Sequence, residues 1–207
     1  MKKTFLTMAI LLMSTVTALA QQGEEGTFTL QPKVGMNISS LSDADKSIVD
    51  WAFGVEGEYM LTDNFSMAAA IVMSNQGAKY NETDTYVKYT ADLDYVNVPI
   101  VANYYVLPGL AIKAGIQPGF KVRAKMKTDG GTIDMDAFYR QYNRLTNEDV
   151  KISKVDLAIP VGLSYEFKNF VLDARYNIGL IKIENIGDAF YNRVFQLTLG
   201  YKFNLDI

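Results

Sequence analysis

The 207-residue sequence predicts an all-β chain closed as an eight-stranded antiparallel up-and-down transmembrane β-barrel, and three features carry that expectation. The first is the segment Phe195-Gln-Leu-Thr-Leu-Gly-Tyr-Lys-Phe-Asn-Leu205. Its unbroken alternation puts Phe195, Leu197, Leu199, Tyr201, Phe203 and Leu205 on one face and Gln196, Thr198, Gly200, Lys202 and Asn204 on the other. Period two is what a spanning strand needs when one face meets lipid and the other a lumen. The second feature is the N-terminus, where Lys2 and Lys3 precede an apolar run from Phe5 to Val16 and the small-x-small pattern Ala18-Leu-Ala20. That reads as a secretory signal peptide over 1–20, because the run is shorter than the roughly 20 residues of a spanning helix. The third is a regular alternation of short and long connections.

The elements follow in order. After the signal and a short lead at 21–27, the barrel domain is expected over 28–207. Eight segments alternate with period two: 28–38, 51–61, 64–75, 91–106, 110–126, 154–167, 169–181 and 193–205. Each meets the roughly 9–11 residues that a tilted spanning strand requires. The connections at 62–64, 107–109 and 168–169 are tight, whereas those at 39–50, 76–90, 127–153 and 182–192 are longer. With an even strand number both termini fall on the side of the tight turns, the periplasmic side of an outer-membrane barrel. Only a closed barrel satisfies every backbone group of a sheet in lipid.

Periodicity does not say which face points inward, and a soluble barrel of lipocalin type would turn the apolar face in. Two observations favour the membrane orientation. Gly35, Gly54, Gly115, Gly119, Gly162, Gly179 and Gly200 all lie on the polar face, as expected where that face fills a narrow lumen. Tyr59, Phe65, Tyr104, Phe167 and Phe170 gather on the apolar face around the tight turns, resembling one interfacial girdle.

The polar face carries charges of both signs. Lys113 is expected level with Glu166 near the turn end, Lys121 and Arg123 level with Asp156 towards the loop end, and Glu56 and Glu58 beside Lys33. Asp173 and Arg175 follow on the seventh strand, and Lys202 lies on the eighth. Unpaired charges in such a space are costly, so the expectation is a salt-bridged plug rather than an open channel. Pro32, Pro99, Pro118 and Pro160 fall inside strands, where proline cannot donate to a ladder, and bulges or gaps are expected at each.

The segments Leu93-Asp-Tyr-Val-Asn-Val-Pro-Ile-Val-Ala-Asn-Tyr-Tyr105, Ala114-Gly-Ile-Gln-Pro-Gly119 and Leu197-Thr-Leu-Gly-Tyr-Lys-Phe203 resemble the PorT-like outer-membrane β-barrel proteins of Gram-negative bacteria. The resemblance runs over essentially the whole mature chain and implies a small, porin-like barrel in the outer membrane. Asn97 and Asn103 stand where that family shows an acidic and a basic residue, so the family's charge pair is absent here. Thr198, Gly200, Phe203 and Leu205 also resemble the signal read by the barrel assembly machinery.

Composition limits the function. The chain has no histidine and no cysteine, which removes the usual general base, thiol nucleophile and soft metal ligands. Carboxylate pairs such as Glu56/Glu58 and Asp134/Asp136 more often meet lysine than perform acid–base work. No catalytic residue, cofactor or metal is expected. Without Lys2 and Lys3 the chain holds 18 basic against 23 acidic residues and no basic run, which sets nucleic acid aside.

The loops are where a partner would be met. In the third, Met135 to Thr146 is expected to form an amphipathic helix with Phe138, Tyr142 and Leu145 on one side, capping the barrel mouth. Asp129, Asp134 and Asp136 lack the spacing of a dedicated calcium loop. The reading is an outer-membrane barrel acting as a structural or interaction module. A narrow pore for small solutes and an accessory of a secretion system stand as alternatives.

Overall fold

The computed structural model describes residues 23–41, 46–81, 88–128, 130–147, 149–183 and 191–205. The signal peptide expected over 1–20 and the first two residues of the lead lie outside the described residues. Eleven strands form one sheet: β1 (Phe28–Leu41), β2 (Lys46–Thr62), β3 (Phe65–Asn81), β4 (Lys88–Asn97), β5 (Ile100–Leu107), β6 (Leu110–Thr128), β7 (Gly131–Asp134), β8 (Val155–Phe167), β9 (Phe170–Lys182), β10 (Tyr191–Tyr201) and β11 (Phe203–Leu205). Among the described residues one helix, α1, covers Met135–Thr146. β4 and β5 are two halves of one spanning strand, β10 and β11 of another, and β7 is a short addition to β6, so eight antiparallel staves remain. The ring closes where β1 pairs with β10 from Lys33↔Gly200 to Leu41↔Asn192 and with β11 from Phe28↔Leu205 to Leu30↔Phe203.

The orientation of the faces is the one a bilayer demands. Val34, Phe53, Val55, Ile71, Ile112, Ile116, Leu163, Leu172 and Leu199 stand exposed on the outer wall, while Lys33, Glu56, Lys113, Asp173 and Arg175 are buried within. Around the tight turns Tyr59, Tyr104, Phe167 and Phe170 are exposed as expected, joined by Tyr201 and Phe203. The Phe170 ring meets Tyr201 edge-on at 5.1 Å. Such a belt suits rings that are apolar in body and polar at the tip.

The prolines mark interruptions in the ladder. Val98 and Pro99 separate β4 from β5, and Pro118 lies across from them, with Val98 N donating to the Pro118 carbonyl at 2.8 Å. Two residues lacking a donor therefore share one gap. Pro160 falls where β8 loses its pairing to β6 between Ala158 and Val161, although its pairing to Asn177 of β9 holds. Pro32 lies where β1 passes from β11 to β10, opposite the break at Lys202.

Two of the connections expected to be loops are largely strand. β1 and β2 stay paired from Asn37↔Asp50 to Ser39↔Ile48, and β3 and β4 from Val72↔Asn97 to Asn81↔Lys88. A ladder is held by backbone groups, so it continues past the point where the side chains stop following the membrane pattern. The inner glycines have a sharper cause than a narrow lumen. A Cβ on Gly35 would lie 1.9 Å from the Leu197 carbonyl oxygen, and one on Gly115 2.0 Å from that of Ile100. Neighbouring strands approach too closely there for any side chain, which is how a small barrel achieves its curvature.

Candidate functional site in the lumen and external cap

Four layers fill the barrel from the turn side to the loop side. In the lowest, Glu58 accepts from Asn103 Nδ2 and Tyr105 Oη at 2.8 Å each and from Ser66 Oγ. Lys202 Nζ lies 2.8 Å from Glu58 and 2.5 Å from Glu166, and also donates to Tyr105 Oη at 3.1 Å. Met60 closes this end, its backbone tied to the lead by Gly26 N donating to Met60 O at 2.9 Å.

The second layer is the electrostatic centre. Arg175 donates through Nη2 to Glu56 at 2.6 Å and through Nε and Nη2 to Asp173 at 2.7 Å each. Lys113 bridges the same two carboxylates, 2.7 Å from Asp173 and 3.2 Å from Glu56, and Lys33 completes the ring on Glu56. Charges this deeply buried persist only when paired and hydrogen-bonded, and every one of these five is. Across both layers Lys33, Lys113, Arg175 and Lys202 face Glu56, Glu58, Glu166 and Asp173, so the charges balance.

The third layer is neutral. Asn37 Nδ2 donates to Ser74 Oγ at 2.7 Å and to the Asn75 carbonyl at 3.0 Å, and Gln196 Nε2 donates to Asn37 Oδ1 at 3.0 Å. Ser39 and Gly77 exchange bonds of 3.0 and 2.8 Å, and Asn192 donates to Gln76. Above it the lumen turns apolar: Leu93, Tyr95, Ala124, Met135, Ile152 and Ile183 form one buried cluster, with Met126 and Tyr139 packed against it.

Polarity therefore inverts along β4 and β6. In β4 the inward residues pass from Asn97 to Tyr95, Leu93 and Ala91, and the outward ones from Val96 to Asp94 and Asp92. In β6 the same change needs a bulge at Val122, where pairing steps from Tyr95↔Lys121 to Asp94↔Arg123. The extra residue reverses the parity of everything after it, so Ala124 enters the core and Arg123 turns out. Arg123 pairs with Asp94 and Lys127 with Asp92, both on the outer surface. The side chains beyond Val96 and Val122 thus follow the rule of a water-soluble barrel, apolar in and charged out.

Four of the expected pairings are corrected by this geometry. Lys113 does not meet Glu166: it reaches across the lumen to Glu56 and Asp173, leaving Glu166 to Lys202, because a long side chain spans the narrow interior more easily than it follows the wall. Lys121 pairs with Asp136 of α1 at 2.6 Å rather than with Asp156. Arg123 is not in the lumen at all. Asp156 is instead level with Gly119 and accepts from Leu157 N at 2.8 Å. Glu58 is paired with Lys202 rather than Lys33, whereas Lys33 meets Glu56 as expected, and Asp173 and Arg175, placed in the lumen by the sequence, also pair with each other.

The helix is present as expected, with Asp134 accepting from Ala137 N at 2.8 Å as its N-cap and Asn147 ending it in the left-handed region. Its capping face is different. Met135 and Tyr139 pack on the mouth, whereas Phe138, Tyr142 and Leu145 are exposed. The anchoring bonds decide this: Lys121 holds Asp136, and Asn143 exchanges bonds of 2.8 and 3.0 Å with the Val150 backbone, turning the aromatic stripe aside. Asp134 and Asp136 are thereby engaged, and Asp129 lies outside the described residues. Ser66, Asn103 and Tyr105, absent from the expected network, share the inward parity of their strands, which is the signal that identifies them. Thr198 and Gly200 face the lumen, while Phe203 and Leu205 lie on the outer wall, paired with Leu30 and Phe28.

Solved structures share this architecture. Neisserial surface protein A matches with a TM-score of 0.55 at 16% identity, over 86% of this chain and 100% of the other. The attachment invasion locus protein Ail of Yersinia pestis, crystallised with the heparin analogue sucrose octasulfate, matches with a TM-score of 0.50 at 15% identity, over 86% and 99%. No curated protein matches the sequence. The model of the outer membrane protein beta-barrel domain matches residues 19–185, most of the described barrel, and the chain belongs to that family.

Proposed function

We propose that this outer-membrane barrel is a closed module that holds a rigid external cap and loops for contact with a partner, rather than a conduit. The observation that carries the reading is the lumen itself. Four buried cations face three buried carboxylates and the half-buried Glu166 and neutralise them across its width, with an apolar plug above them. Export would use residues 1–20 as a signal peptide, and both termini would lie in the periplasm. Assembly would use the last strand, with Thr198, Gly200, Phe203 and Leu205 presented to the barrel assembly machinery. The PorT-like resemblance fits such a module, and the complex of Ail with an anionic sugar analogue shows that a barrel of this fold holds ligands. Catalysis has no support, given a chain without histidine or cysteine.

A second reading has one observation in its favour. Arg175 Nη1, Gln31 Nε2, Thr29 Oγ1 and Asn177 Oδ1 are buried without a hydrogen-bond partner among the described residues, as expected if water threads the plug. A narrow pore would use that path. Planar-bilayer recording separates the two: the closed module gives a silent trace, and a variant carrying E56A, K113A, D173A and R175A together gives steady conductance. Steady conductance from the unaltered protein would overturn the closed reading.

A further inference from the structure

The external end of the barrel contains a cavity of about 720 Å³ between α1, the segment 149–154 and the end of β9. Its floor is apolar, built from Val150, Ile152 and Ile183, all buried, with Ile181 beside them. Its rim is charged. Two of the charges are already neutralised: Asp136 is held by Lys121 at 2.6 Å and Asp149 by Lys151 at 2.8 Å. Arg140, Lys154 and Lys182 remain, each exposed and without an ion-pair partner among the described residues. Three cations without an ion-pair partner among the described residues therefore border an oily hollow of the size that holds small organic ligands, commonly about 300–1,000 Å³.

We propose that this cavity binds a small amphipathic organic anion, with an apolar body against Val150, Ile152 and Ile183 and a phosphate or carboxylate group between Arg140, Lys154 and Lys182. The proposal deepens the reading of the external region as an interaction module and rests on it. Two properties select this ligand class. A purely hydrophilic polyanion would leave the apolar floor wet, and an uncharged hydrocarbon would leave the three cations unanswered. The floor residues Ile152 and Ile183 also belong to the plug over the lumen, so the site is part of the packed cap rather than a crease in a loop.

The test uses the full barrel in nanodiscs of zwitterionic lipid, with 13C-labelled isoleucine methyl groups and octyl phosphate as the probe. The expected result is saturable movement of the Ile152 and Ile183 signals. The R140Q/K154Q/K182Q variant, whose folding is confirmed by its heat-shifted gel mobility, should bind about tenfold or more weakly. Octanol and inorganic phosphate, each carrying half of the recognised chemistry, should be weaker by a similar factor. An anionic lipid placed in the disc that moves the same two methyls would support the site and identify the bilayer as the source of the ligand. Movement of Ile71 and Ile112 on the outer wall instead, or equal loss of binding in R123Q/K127Q, would overturn the proposal in favour of partition and diffuse charge. Conductance by the wild-type barrel would defeat the closed-lumen reading while leaving this result intact, so the two failures are distinguishable.

Discussion

Asp94 and Arg123 form an ion pair on the outer surface of the barrel, one ladder step beyond the point where Tyr95 faces Lys121 and Val122 bulges out of register. The pair fixes where the hydrophobic belt ends. Below it the outer wall presents Val96, Phe120 and Val155, and above it Asp92 and Lys127. A charge-lined surface is stable in water and costly in acyl chains, so the pair belongs to the aqueous side of the boundary.

Because the Arg123 side chain is 52% exposed, the pair should contribute little by itself. A double-mutant cycle with D94A and R123A, read from urea unfolding in bilayers, should give a coupling of about 1 kcal/mol or less that fades as salt is raised.

Glu56 is the opposite case. E56Q leaves Lys33, Lys113 and Arg175 around the single carboxylate of Asp173, all nearly inaccessible to solvent. The expected loss of unfolding free energy is about 3–5 kcal/mol, as for a buried ion pair stripped of one partner. A loss no larger than that of the surface pair would show that the lumen is wet enough to screen its charges.

Val122 is the spare residue of the bulge, so deleting it leaves Lys121 inward, Arg123 outward and Ala124 inward in unbroken alternation, with the register to β4 kept. Deleting Lys125 instead, where the strand has no spare residue, turns Met126 outward and Lys127 inward and loosens the cap. The first deletion should keep both the heat-modifiable gel band and the resistance of the cap to limited proteolysis, and the second should lose the latter.

The two faces of β2 and β1 offer a glycine contrast. G35A places a Cβ against the Leu197 carbonyl, a backbone atom that cannot move without breaking the β1–β10 seam. The nearest atoms to a Cβ in G57A belong to the Phe28 ring, at 3.1 Å, a side chain that can turn, and the nearest backbone atom, the Ala69 carbonyl oxygen, is 4.0 Å away. The first should impair barrel closure on the heat-modifiability gel and the second should not.

Removing the Leu93 side chain opens the plug from within. L93A should cost about 2–5 kcal/mol, the range for a buried leucine in a core that relaxes only partly. Limited proteolysis of the segment 149–154 should accelerate in parallel, because Ile152 belongs to the same cluster.

The staves and their orientation were legible in the sequence because each rests on a local rule. The run from Phe195 to Leu205 carries its own alternation, and glycines and aromatics sort to opposite faces of it. What local rules do not reach is parity after an insertion. Nothing near Val122 announces a bulge, so continuing the period places Arg123 in the lumen, one face away from its position. The partner of Lys113 was hidden for a different reason. Its reach across the lumen to Glu56, from β6 to β2, depends on a barrel diameter that strand adjacency does not express. The same holds for the helix: its amphipathic stripe is real, but the bonds made by Asp136 and Asn143 decide which side meets the barrel.

The second lumen layer also constrains the order in which the molecule can be built. Glu56 is held at once by β1, β6 and β9, and its partner Arg175 lies 119 residues further along the chain. No hairpin contains enough of this cluster to satisfy it. A half-wound sheet would therefore carry naked charge until the final staves arrive, and contacts so distant in sequence are slow to form. The central salt cluster thus behaves as a clasp that fastens only on the finished ring, making completion of the fold an all-or-none event.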